Sequence, residues 1–135
     1  DADGQHKLNS IIKMTKKISK YDDIICGKRD LYNRFSEKIF CKIFKIIWKI
    51  SDPLCGLKAY KKKILIKINL KKGFDIIGTD ILISALDRKA KIAEMNVQIV
   101  KRKNESTFGT GFYGEFKILK ALIILISLKL LKIFK

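Results

Sequence analysis

One proline in 135 residues, one histidine, and fewer than half as many acids as bases: the chain is defined first by what it has little of. Its three cysteines, Cys26, Cys41 and Cys55, are an odd number with no CxxC spacing, and the single His6 cannot complete a zinc set with them. They are expected to be reduced packing thiols, as in a cytosolic protein. No run reaches the roughly 18 uninterrupted apolar residues of a membrane span; the longest, Ala121 to Leu128, stops at Lys129. The opening residues are acidic and polar, unlike a secretory signal. Disorder is also excluded, because 47% of the residues are hydrophobic.

What the chain does have is positive charge. Thirty Lys and Arg against 13 Asp and Glu give a formal charge of +17. Such an excess implies an anionic partner: nucleic acid, phospholipid headgroups or a phosphorylated substrate. Zinc-finger spacing, aromatic-rich RNA-binding strands and a helix–turn–helix signal are all lacking, so nucleic acid is not the expected partner.

The pattern along the chain is helices interleaved with short strands, an α/β order. Leu8, Ile11, Ile12, Thr15 and Ile18 recur at helical spacing. Asp22 to Cys26 reads as a short buried strand ended by Gly27. Arg34 to Ile50 reads as a helix on which Lys38, Lys42, Lys45 and Lys49 form one stripe and nearly everything else is apolar. Pro53 closes that segment. Leu57 to Tyr60 suggests a strand, Lys61 to Leu70 a lysine-rich helical turn, and Thr79 the cap of a helix reaching about Lys89. A strand over Ile92 to Val100, a glycine-bearing loop from Asn104 to Gly114 and a helix from Glu115 to Phe134 complete the reading. The lysine-striped helix suits a bilayer interface, with lysines at headgroups, or ordinary core packing with a solvated stripe. The last helix, with its spaced lysines, fits the same description.

Two carboxylates one residue apart, Asp1 and Asp3, open the chain. At a strand end such a pair can reach one hard cation, which can then bridge to a diphosphate. Alone the pattern is weak, and two solvated acids at a frayed terminus explain it better. Other stretches stand in register with it: "DADGQH", "DDIICGKRD", "SDPLCGLKAY" and "TDILISALDRKAKIAEMNVQIVKRKNESTFG". Together these resemble the family 2 glycosyltransferases of GT-A fold, in the polyprenyl-phosphate branch that includes dolichol-phosphate mannose synthase. The resemblance runs from residue 1 to about residue 120.

The resemblance implies a partial GT-A fold that lacks the N-terminal nucleotide-binding strands. Residues 1–115 would be the C-terminal part of the catalytic domain, and residues 116–135 an amphipathic helix at the membrane interface. It implies Mg2+ or Mn2+ held by Asp1, Asp3 and Gln5. Arg29, Arg102 and Ser106 would bind substrate phosphates, and Asp52, with Gly56, belongs to the middle motif. Asp52 is the candidate catalytic residue, as base or positioning group, against a purely structural aspartate capping the turn at Pro53. His6 is expected behind the motif rather than on the metal. Departures from the pattern are Asn104 for a loop glycine, Thr107 for a lysine, Asp80 for a glutamate, Asn96 for a proline, and Leu57-Lys58 for Phe-Arg. The implied function is inverting sugar transfer from a nucleotide sugar to a polyprenyl phosphate, by a peripheral protein on the cytoplasmic face of the membrane. A soluble saccharide acceptor and a non-enzymatic basic module that binds membrane or nucleic acid are the alternatives. Because the family's first strands and its "P-x-x-N-E" loop have no counterpart here, the chain is expected to be part of a larger enzyme and inactive alone.

Overall fold

The computed structural model describes residues 7–18, 22–68, 78–98 and 111–133. Their order is α1 (Leu8–Ile18), β1 (Ile24–Arg29), α2 (Phe35–Trp48), β2 (Lys58–Tyr60), α3 (Lys62–Lys67), α4 (Thr79–Asp87), β3 (Ile92–Val97) and α5 (Gly111–Ile133). The architecture is mixed α/β around a three-stranded sheet of order β2-β1-β3. β1 is central, antiparallel to β2 with Ile24 opposite Tyr60, and parallel to β3 with Ile24 opposite Ile92 and Arg29 opposite Val97.

Strand alternation sends β1 side chains to opposite faces. Ile24 and Cys26 enter the larger core with Phe40 and Phe44 of α2, Leu82 and Ala85 of α4, and Ile118, Leu122 and Leu125 of α5. Ile25 enters a smaller core with Met14 of α1, Cys55 and Val97. The sheet is therefore sandwiched, with α1 on one side and α2, α4 and α5 on the other. α1 is lightly held. Met14 is its buried residue, whereas Leu8, Ile11 and Ile12 of the same apolar stripe remain exposed.

Several boundaries differ from the sequence reading, four of them near the site. Gly27 does not end β1; the strand runs through it to Arg29. A Cβ there would lie 2.8 Å from both Cys55 Sγ and the Leu57 carbonyl oxygen, so glycine is required by close approach rather than by a turn. α2 stops at Trp48, and Lys49 takes a left-handed conformation (φ 61°) whose N–H bonds the Lys45 carbonyl, leaving the helical lysine row one residue short. α4 is entered through left-handed Gly78 (φ 61°), while Thr79 becomes its first helical residue and donates its hydroxyl to the Pro53 carbonyl at 3.3 Å. α5 begins at Gly111, inside the stretch read as loop.

The faces of α2 are now distinct. Phe40, Cys41 and Phe44 are buried, Ile39, Ile43 and Trp48 pack against the core, and Lys38, Lys42 and Lys45 are exposed. The outer side of α2 is not lysine alone, because Phe35 and Ile46 are exposed there as well. α5 runs beside it in the same direction: Glu115 meets Ser36 at one end, and Lys129 meets Ile47 and the Trp48 ring at the other.

Candidate functional site

β1 begins with the buried run Ile24-Ile25-Cys26 and delivers Arg29 to its carboxyl end. There the Asp52 carboxylate takes three hydrogen bonds from Arg29: the backbone N–H to Oδ2 at 3.0 Å, Nε to Oδ2 at 2.7 Å and Nη2 to Oδ1 at 3.0 Å. The last two form a bidentate, charge-assisted pair. Cys41 Sγ donates to Oδ1 at 3.6 Å. Glu37, in the first turn of α2, approaches Nη1 at 3.4 Å, and the guanidinium lies 5.4 Å from the Tyr32 ring centroid. Burial alone would lower the Arg29 pKa, but the hydrogen bonds and charge of Asp52, then the charge of Glu37, raise it.

Pro53 and the turn before it hold Asp52 in place. Ser51 donates its backbone N–H and its hydroxyl to Glu94 of β3 at 2.6 and 2.8 Å. Tyr32 donates its hydroxyl to the Ser51 carbonyl at 3.4 Å. The turn is thus tied to both β1 and β3. Asp52 has no solvent exposure and the Arg29 side chain only 13%. With its oxygens directed at Arg29 and Cys41 and no exposure, Asp52 is enclosed as a structural or positioning aspartate would be.

The same end of the molecule gathers three further contacts. Gln98, which follows Val97, accepts a hydrogen bond from Lys7 Nζ at 2.8 Å. Glu115 of α5 accepts the Ser36 N–H at 2.7 Å, capping α2 from outside because Arg34, at the N-cap, supplies no side-chain cap. Gly114 leaves room for the Arg34 guanidinium, which a Cβ would strike. Hydrogen bonds from Ser36, and more weakly the charge of Arg34, hold the Glu115 carboxyl below its ordinary pKa.

Arg29 and Asp52 are brought into direct contact. Asp1, Asp3, Gln5, His6, Arg102 and Ser106 lie outside the described residues. Among the described residues no cluster of three or more His, Cys, Asp or Glu is arranged to hold a metal ion. Burial pushes the Cys26 thiol up to about 12 and raises those of Cys41 and Cys55, which keeps all three protonated at neutral pH. Lys58 lies near Cys26 and Cys55, with Nζ donating to the Cys55 carbonyl at 2.5 Å, and burial lowers its pKa.

Sequence reading missed Glu37, Tyr32, Glu94 and Glu115 as members of this network. A signal did exist for two of them: Glu37 is the single acid on α2 and Glu115 the single acid on α5, in helices otherwise rich in lysine. No protein-family model, curated protein or solved structure matches the chain.

Proposed function

We propose that the chain serves metal-dependent, inverting transfer of a sugar from a nucleotide sugar to a polyprenyl phosphate, working as a peripheral protein at the cytoplasmic face of a membrane, within a GT-A-type catalytic domain. The observation that carries this reading is the convergence at the carboxyl end of β1 and β3. Arg29 is fixed there by Asp52 and Glu37, and the Lys7–Gln98 contact joins the residue after the Asp1–His6 motif to the residue before the segment holding Arg102 and Ser106. In open α/β sheets, ligands are bound beyond the carboxyl ends of the strands.

The donor set proposed for the metal, two carboxylates and the Gln5 amide oxygen, is hard oxygen chemistry that suits Mg2+ or Mn2+. When bound, the cation would neutralise charge developing on the leaving diphosphate. The work of the chain's own residues is positioning. Arg29, buttressed by Asp52 and Glu37, shapes the strand end, and Arg102 with Ser106 grips phosphate. A lipid phosphate is already an anion at neutral pH and needs no proton removed, whereas a saccharide hydroxyl would require a base. The enclosed Asp52 favours the lipid phosphate over a soluble saccharide as acceptor.

The test is calorimetric titration of Mn2+, alone and with a nucleoside diphosphate, into the chain and its D1N/D3N variant. The reading expects cation binding that the variant loses while its far-UV circular dichroism is unchanged. Equal binding by both proteins would overturn the metal assignment.

A further inference from the structure

α1 touches the sheet along a narrow line. Met14 is its single buried residue, and Ser10 and Ile18, four positions to either side, are half-buried. At that spacing the three lie on one ridge of the helix, while Leu8, Ile11 and Ile12 are exposed. Two long lysines add to the attachment: Lys7 Nζ donates to Gln98 Oε1 at 2.8 Å and Lys17 Nζ to the Glu94 carbonyl at 3.4 Å, both in exposed positions. With 11 residues, α1 is shorter than a helix that sustains itself in water. It carries Lys13, Lys16 and Lys17 and no acid, in a chain charged +17, so leaving the sheet relieves like-charge repulsion.

What α1 covers is separate from what holds the rest together. Met14 packs in one cluster with Ile25, Cys55 and Val97. Cys26 and Cys41 belong instead to the larger core, with Phe40 and Phe44 of α2, Leu82 of α4 and Leu122 of α5. Loss of α1 leaves that core and the pairing of β1 with β2 and β3 in place. Proteins open first where few apolar contacts hold an element. The three thiols therefore report on two different packings.

We infer that α1 is a detachable strap: it leaves the sheet and unfolds while the three strands, α2, α4 and α5 stay folded. Its departure uncovers Cys55 and frees Lys7, to which the opening motif is joined in sequence, from Gln98. Docking of α1 thereby controls when the acids of that motif can stand beside Arg29. This last consequence rests on the proposed function. The undocking does not, and its test uses neither metal nor nucleotide, so the two readings fail separately.

The experiment is thiol labelling with Ellman's reagent in native buffer and at low urea, with mass spectrometry assigning the rate at each cysteine, beside hydrogen–deuterium exchange. Cys55 is expected to react at least ~10-fold faster than Cys26 and Cys41 and with a shallower urea dependence, since a local opening exposes less surface. The amides of α1 should exchange ahead of those of β1. Met14→Ala should speed Cys55 by at least ~10-fold, as loss of a buried side chain that only the docked state uses. Leu82→Ala should speed Cys26 and Cys41 but not Cys55, because Leu82 keeps its contacts when α1 leaves. If a variant folds poorly, the urea dependence in the parent protein still decides. Three thiols that follow urea together, a Cys55 rate unmoved by Met14→Ala, or α1 amides as protected as those of β1 would each overturn the inference.

Discussion

Asp52 holds Arg29 by backbone and side chain at once, and the Asp52 carboxylate has no water to fall back on. Removing one partner leaves the other as a buried charge, a loss of about 3–5 kcal/mol. Arg29→Ala is therefore expected to lower stability by about that amount in urea unfolding, and Arg29→Lys by a smaller amount, because an ammonium cannot reproduce the bidentate fork. The double variant R29A/D52A should be less damaged than the sum of the single variants, since the stranded carboxylate is gone. Additive losses would mean that the contact is not energetically coupled. The sequence marked both residues as members of separate motifs, but not as partners. Twenty-three positions separate them, and no local pattern encodes a pairing set by tertiary packing.

α2 and α5 are coupled by Glu115, which supplies from one helix the cap that Arg34, at the amino terminus of the other, does not. Ser36 holds its pKa below the ordinary value, as Lys63 and the Lys91 N–H do for Asp23. A depressed carboxyl pKa gives stability that is present above the unfolded-state value and is lost as pH falls through the folded one. Thermal melts are expected to drop as pH descends through and below the ordinary carboxylate range, and Glu115→Gln should remove part of that drop while lowering the melting temperature at neutral pH. An unchanged pH profile in the variant would contradict the capping role. The elements themselves were largely legible, because hydrophobic periodicity marks α1, α2 and α5 plainly. What escaped was set by contacts distant in sequence. Gly27 lies inside β1 because Cys55 and Leu57 crowd it. α5 reaches back to Gly111 where glycines had suggested a loop, and its packing on α2 explains why Gly114 is tolerated there.

At the level of the whole molecule, a small sheet presents the carboxyl ends of β1 and β3 on one side, and a basic pair of helices covers one of its faces. The sequence indicated the α/β class and the excess of positive charge. It did not indicate which apolar residues of α2 and α5 would be buried and which, such as Phe35, Ile46, Phe112 and Phe116, would stay exposed, because only packing distinguishes them. The central claim is that the acids of the opening motif hold a cation beside Arg29 and Gln98. Paramagnetic broadening of backbone amide NMR signals by Mn2+ tests it most directly. The account predicts selective broadening of Lys7, Gln98 and Arg29, lost in D1N/D3N; broadening that is centred elsewhere, or that persists in that variant, would contradict it.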